Sequence, residues 1–175
     1  LLGDAPTNKF GNGSVASYYT NLEPSSYVFA NYGGKDPNCS SGILRYVRIE
    51  YAGKRLKSGG NFSGLFLAAV GNKTIFENIM VSYCAGESFE VWGGTVNLEK
   101  AVSYRSNSND FKFNYGTQSQ LINSLAIRSP YISSRNGSRC IQAVSYDKKE
   151  DVDLVLSSYG LLESSAKLFN RSYKI

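Results

Sequence analysis

Two kinds of short, apolar-rich segment alternate along the chain. The first contains a short strand that ends in a polar or aromatic residue, and it occurs four times, as LRYVRIEYAG (44–53), FENIMVSYCAG (76–86), LEKAVSYRSN (98–107) and INSLAIRSP (122–130). The second ends at or near a glycine and occurs three times, as SGLFLAAVG (63–71), ESFEVWGG (87–94) and NDFKFNYG (109–116). Because side chains alternate across a strand, each segment buries one face and needs a partner to cover it.

The segments recur at a regular spacing. If Tyr51, Tyr83, Tyr104 and Ser129 are equivalent, successive copies lie 32, 21 and 25 residues apart, and a glycine-bearing loop at 54–63 explains the long first step. A unit of this length, with two strands, buries its apolar face only by stacking on its neighbours. The pattern therefore predicts an all-β fold, a right-handed parallel β-helix (solenoid). A β-sandwich also uses short strands, but it does not predict a repeating register.

The register assigns each strand position to the inside or the outside of the solenoid. Three inward columns are predicted: Leu65, Phe89 and Phe111; Leu67, Val91 and Phe113; and Ile49, Val81, Val102 and Ile127. Two outward columns are predicted: Phe66, Glu90 and Lys112; and Ala68, Trp92 and Asn114.

The ends of the chain depart from the repeat. Residues 1–146 are predicted to form the coils, with an irregular loop at about 5–42 and further loop insertions. Residues 147–175 are predicted to form a last coil or a cap, since an exposed coil edge invites aggregation. The opening Leu1-Leu2-Gly3 is typical of the tail of a strand, so we expect a truncated segment of a longer solenoid.

Composition excludes several kinds of chemistry. Hydrophobic residues make up 42% and charged residues 19% of the chain, and histidine is absent. A Ser-His-Asp relay, a Cys-His pair and a histidine-ligated zinc are therefore excluded. No apolar run approaches the roughly 20 residues of a spanning helix, so we expect no transmembrane segment.

The formal charge of +5 favours polyanionic partners. The basic residues are dispersed, however, and the densest group, Lys54, Arg55 and Lys57, fits a solvated loop, so nucleic-acid binding is not expected. Three cysteines leave at least one thiol unpaired, and both a single disulfide and buried free thiols stay open for Cys39, Cys84 and Cys140.

The strings SGILRYVRIEYAG, VSYCAGESFEVWGGTVN and SNDFKFNYG resemble a family of β-helix proteins common in Bacteroidetes, many of them hypothetical surface lipoproteins. The resemblance covers about residues 1–130. It implies export to the outer membrane, the cell surface or the medium, and a strand before Leu1. It also implies acidic clusters at AGESFEVW and SNSNDFKFN that could hold Ca²⁺. Here three carboxylates and Lys112 occupy them, so no cofactor is expected, with Ca²⁺ as the alternative.

One outward patch is the candidate binding site. Its members are polar or aromatic residues of neighbouring coils: Glu87, Glu90, Trp92, Asp110, Lys112 and Asn114. An exposed Trp92 beside amides and carboxylates would stack on a sugar and bind its hydroxyls. In the other interpretation, a loop or the C-terminal segment covers Trp92, and Glu90 and Lys112 form an ordinary surface pair.

The leading functional hypothesis is a non-enzymatic cell-surface or secreted protein that binds glycan or serves as a subunit of an outer-membrane assembly. A polysaccharide lyase or glycoside hydrolase using Glu90, Asp110 and Lys112 is the first alternative, because two carboxylates can flank a glycosidic bond. A structural scaffold that binds partner proteins is the second. No catalytic motif in the sequence decides between them.

Overall fold

The computed structural model describes residues 1–8, 13–14, 31–56, 60–134 and 138–144. These residues form strands and turns, and no helix occurs among them. The strands are β1 (Gly13–Ser14), β2 (Asn31–Tyr32), β3 (Ile43–Glu50), β4 (Leu65–Ala68), β5 (Ile75–Ser82), β6 (Phe89–Trp92), β7 (Leu98–Glu99), β8 (Val102–Tyr104), β9 (Phe111–Asn114), β10 (Leu121–Ile122), β11 (Leu125–Ile127) and β12 (Ile141–Val144).

Strands of successive coils stack in parallel. One sheet has the order β12-β9-β6-β4, and the other joins β10, β7, β5, β8 and β11, with β3 paired to β5. Leu65 lies over Phe89, Phe89 over Phe111, and Phe111 over Ile141. Like positions therefore repeat along the axis, and the prediction of a parallel β-helix is confirmed.

Each coil has three short strands, one more than the sequence pattern suggested. In β3 and β5 the chain bends at Tyr46 (φ 54°) and Asn78 (φ 54°). The later coils are interrupted at the matching residues, Lys100 (φ 52°) and Asn123 (φ 48°). A left-handed residue thus separates a first face (the beginning of β3 and β5, with β7 and β10) from a second face (the rest of β3 and β5, with β8 and β11). Strands β4, β6, β9 and β12 form the third face.

The interior of the solenoid is filled by the columns predicted for the third face. Leu67, Val91 and Phe89 have no exposed surface, and Phe113 is 9% exposed. The rings of Phe89 and Phe111 stack with centroids 5.2 Å apart, and Phe76 of the first face meets Phe89 edge-on at 6.2 Å. Burial of these side chains supplies most of the driving force for stacking the coils.

The third predicted inward column is wrong in its second half. Ile49 and Val81 pair as expected, but the next residues in register are Ser103 and Ala126. The predicted repeat treats Tyr83 and Tyr104 as equivalent positions, whereas in the structure Tyr104 pairs with Ser82. A shift of one residue moves every side chain to the opposite face.

The two misassigned residues therefore point outward. Val102 pairs with Met80 and Leu125, in the outward column of the second face. Ile127 pairs with Tyr104 and is 41% exposed.

Residues 3–8 form a strap that crosses three coils at one corner of the solenoid. The amide of Ala5 donates to Ala69 O at 2.9 Å, and the amide of Asn8 donates to Tyr115 O at 3.1 Å. Between them, the strap lies so close to Gly93 (φ 61°) that an added Cβ would sit 2.5 Å from Thr7 Cγ2. The strap therefore packs along the corner that follows the third face.

Residues 145–175 lie outside the described part of the chain, and so do the predicted cap and the boundary at residue 146.

The three cysteines, Cys39, Cys84 and Cys140, are free thiols, so the structure contains no disulfide between them. Burial raises the pKa of the Cys84 thiol, so this thiol is largely protonated at neutral pH.

The stacked phenylalanines give a test of the core. We expect Phe89→Ala to lower the free energy of unfolding by about 3–5 kcal/mol, because the cavity would lie between the rings of Phe76 and Phe111. The matched control is Tyr131→Ala, since Tyr131 is 94% exposed and its loss should change stability by less than about 0.5 kcal/mol. Urea denaturation followed by circular dichroism measures both. Equal stability of the two variants would contradict the assigned core.

Candidate functional site

The candidate residues on β6 and β9 are in the predicted register. Glu90 pairs with Phe66 on one side and Lys112 on the other, and Trp92 pairs with Ala68 and Asn114. Their side chains do point away from the interior. They are nevertheless covered, since Glu90 is 1%, Trp92 2% and Asn114 3% exposed. The prediction of an exposed patch is wrong, and the alternative of a covering loop is right for Trp92.

An aromatic cluster encloses Trp92. Its ring meets Phe66 at 4.8 Å, Tyr115 at 4.9 Å and Tyr32 at 5.9 Å between centroids, in each case edge to face. Leu56, from the loop between β3 and β4, belongs to the same cluster. A sugar therefore cannot stack on the indole as long as these residues stay in place.

Glu90 is a buried carboxylate with several partners. Lys112 Nζ lies 2.9 Å from Oε1, and the indole Nε1 of Trp92 donates to the same oxygen at 3.0 Å. The hydroxyl of Ser63 donates to Oε2. Such a carboxylate is tolerated in a buried position because its charge is paired and both oxygens accept hydrogen bonds.

Glu87 stands beside this buried group, nearer the surface. Ser108 Oγ donates to its Oε1 at 3.2 Å, Asn109 Nδ2 donates at 3.5 Å, and Lys112 Nζ lies 3.7 Å away. Asn109 also donates to Gln142 Oε1 at 2.7 Å. The side chains of Glu87 and Lys112 are 16% and 18% exposed. We call Glu87, Ser108, Asn109, Lys112 and Gln142 the polar rim.

Asp110 does not belong to this cluster. It precedes β9, and its side chain turns into the solenoid, where Ser103 Oγ donates to Oδ1 at 2.5 Å. Ser103 and Ser88 share a hydrogen bond of 2.6 Å, and Arg128 Nη1 donates to Asp110 Oδ2 at 2.7 Å. Burial raises the pKa of Asp110, although the hydrogen bonds from Ser103 and Arg128 act in the opposite direction.

This separation decides what the predicted catalytic set can do. Glu90 and Lys112 face outward from the third face, whereas Asp110 faces inward toward Ser103. Carboxylates of a glycosidase must flank one glycosidic bond from positions that substrate can reach. Glu90 and Asp110 do not meet that requirement here. Within the described residues, no three carboxylate, thiol or imidazole groups come together as metal ligands.

Sequence reasoning missed the inward polar network of Ser88, Ser103 and Arg128. Two signals could have found it. Ser103 interrupts the apolar segment AVSY, Ser88 directly precedes the strand segment FEVW, and Arg128 follows the apolar residues LAI of the last clear repeat. A serine at an inward position needs a hydrogen-bond partner, which points to a nearby buried acceptor.

The stacked coils and the covered third face define a parallel β-helix domain filled by side chains. The sequence of residues 1–158 matches the pectate-lyase-like β-helix domain family, and the chain belongs to that family. Neither the curated proteins nor the solved structures include a significant match. Among the described residues, no helix has the length and apolar character needed to cross a membrane.

The inward carboxylate predicts a pH dependence. Because burial raises the pKa of Asp110 above its ordinary 3.8, the folded protein binds this proton more tightly than the unfolded chain. The resulting stabilisation is complete below pH 3.8 and is lost as pH rises through the higher folded pKa. The unfolding free energy of the wild type, minus that of Asp110→Asn, should therefore fall with rising pH. Urea denaturation between about pH 3 and about pH 7 measures the difference. A difference that increases with pH would show that the interaction with Arg128 lowers the pKa of Asp110 by more than burial raises it.

Proposed function

We propose that the chain is a non-enzymatic glycan-binding domain that contacts its ligand through the polar rim. The observation that carries this proposal is the fixed carboxylate of Glu87, held at the surface by Ser108, Asn109 and Lys112. Such a group accepts hydrogen bonds from sugar hydroxyls without first having to be ordered, which lowers the entropy cost of binding. The family's link to pectate lyases supports a carbohydrate ligand.

The composition of the rim favours a sugar over an apolar ligand. Serine, asparagine and glutamine side chains donate and accept hydrogen bonds, as sugar hydroxyls do. The large aromatic side chains near the rim are occupied, since Trp92 packs against Phe66 and Tyr115. Recognition through the rim is therefore polar.

Two contacts favour binding without turnover. Lys112 lies within 4 Å of both Glu87 and Glu90, so its ammonium group is engaged by two carboxylates. Asp110 is enclosed and paired with Arg128. Both of these groups of the predicted catalytic set are therefore held in ion pairs.

We further propose that the domain acts at the cell surface, at the outer membrane or in the medium, alone or as a subunit of an outer-membrane assembly. This rests on the resemblance to Bacteroidetes surface lipoproteins. Recovery of the native protein only in the soluble interior fraction of its cell would contradict it.

Glu87→Gln tests the rim directly. The variant keeps the shape of the side chain but removes its charge, and we expect affinity for the bound glycan to fall about tenfold, since hydrogen bonds to charged groups are the stronger ones. A glycan array identifies the ligand, and calorimetry measures the affinities. Glu99→Gln is the matched control, because it removes the same negative charge from a side chain that is 43% exposed on the first face.

Lys112 is a poorer choice for this test, since its removal would leave Glu90 buried without its ion pair. Unchanged affinity in Glu87→Gln would show that the rim is not the site. Release of oligosaccharides from a bound polysaccharide would show an enzyme. Absence of any glycan ligand, together with co-purification of an envelope protein, would favour the scaffold.

A further inference from the structure

The turns that lead from the second face to the third stack on one side of the solenoid. They comprise the described residues of 51–64, 83–88, 105–110 and 128–140, and we call this side the turn face. The amide of Ala85 donates to Ala52 O at 2.9 Å, that of Asn107 to Cys84 O at 2.8 Å, and that of Asp110 to Arg139 O at 3.0 Å. The backbone ladder therefore continues through the turns and places their side chains side by side.

Charge is unevenly divided between the turn face and the rest of the described chain. Outside the turn face, the described residues include six basic and six acidic side chains. The turn face has five basic and two acidic side chains, namely Lys54, Arg55, Arg105, Arg128 and Arg139 against Glu87 and Asp110. The excess positive charge of the described side chains thus lies on this one side.

The two acidic groups do not offset the exposed cations. Asp110 is paired with Arg128 at 2.7 Å inside the solenoid, and Glu87 belongs to the polar rim with Lys112. Lys54, Arg55, Arg105 and Arg139 are all exposed. Four exposed cations therefore span turns of the first, third and fourth coils.

A row of tyrosines borders the turn face. The rings of Tyr51 and Tyr83 stack with centroids 5.1 Å apart, Tyr83 meets Tyr104 edge-on at 5.4 Å, and the guanidinium of Arg105 lies 5.1 Å from the Tyr104 ring centre. Tyr83 and Tyr104 each face a neighbouring ring or a cation, and Tyr51, which is 76% exposed, stacks on Tyr83 through one of its faces. Single-stranded nucleic acid stacks its bases on open aromatic faces. Most ring faces of the row are already occupied, which favours a ligand that uses phenol hydroxyls and ring edges.

We propose that the turn face binds a polyanionic polysaccharide, one that carries carboxylate or sulfate groups along its chain. The proposal rests on the proposed glycan-binding function and adds the class of ligand and the surface. Coils repeat at about 4.8 Å, close to the length of one sugar unit in an extended chain, so successive turns can meet successive residues of the ligand. The rim lies at the end of the same turns, next to the bound chain.

The test compares two double variants with the same change in charge. Arg105→Gln with Arg139→Gln removes two exposed cations from the turn face. Lys35→Gln with Lys73→Gln is the control, since both lysines are exposed and lie outside the turn face. The probes are polygalacturonate for carboxylates, heparin for sulfates, neutral dextran, and duplex DNA.

We expect the turn-face variant to bind polygalacturonate or heparin about fivefold to about thirtyfold more weakly than the wild type, as for the loss of two exposed ion pairs. The control should keep its affinity. Binding of the wild type should also weaken as salt rises from about 0.05 M to about 0.5 M. Preference between the two anionic probes identifies the charged group.

Other outcomes overturn the inference separately from the proposed function. Binding of neutral glycans alone, lost in Glu87→Gln but not in the turn-face variant, would refute the turn face and leave the rim intact. If both double variants bound the anionic probes equally weakly, the loss of affinity would come from the lower net charge and not from the turn face. Tighter binding of DNA than of either anionic polysaccharide would assign the surface to nucleic acid. Absence of any glycan ligand would refute both.

Discussion

The in-register backbone ladder between coils is the interaction on which the rest of the structure depends. It holds Leu65, Phe89, Phe111 and Ile141 in one column, so that like side chains bury each other. The ladder also holds the corners, where non-glycine residues such as Ala69 (φ 52°) and Tyr115 (φ 55°) adopt left-handed backbone angles. Each such residue costs about 1 kcal/mol, which the hydrogen bonds and the buried area around it must offset.

The third face could be predicted from sequence because its segments are local, evenly spaced and marked by glycines. The second face could not be aligned to the same accuracy, since nothing in the sequence marks Lys100 as the corner that shifts Val102 outward. The burial of Trp92 could not be predicted from the local sequence pattern for a different reason. Tyr32, which helps to cover it, lies 60 positions away, and periodicity carries no information on such contacts.

The candidate site is divided at the point where a turn meets β9. Alternation alone would place Asp110 on the same side as Lys112, but Asp110 lies in the turn before β9 and its side chain bends into the solenoid. Lys112 therefore meets Glu90 outside, while Asp110 meets Arg128 and Ser103 inside. A sequence window that contains all of these charges looks like one acidic and basic cluster. The structure makes two: a structural pair within the solenoid and a partly open rim at its surface.

A solenoid whose interior is filled can vary only where variation leaves the ladder intact. Strand residues are constrained by the columns they belong to, the outer side of the third face is covered by the aromatic cluster around Trp92, and the strap holds the corner that follows. The turns are subject to neither constraint. Insertions between repeats usually project on one side of a solenoid, and this side often binds the ligand. In this chain the turns after Tyr51 and Arg128 are longer than those after Tyr83 and Arg105, and the unbalanced positive charge is found there. Selection for a ligand acts most freely on such residues, because changing Arg139 alters the surface without moving a coil.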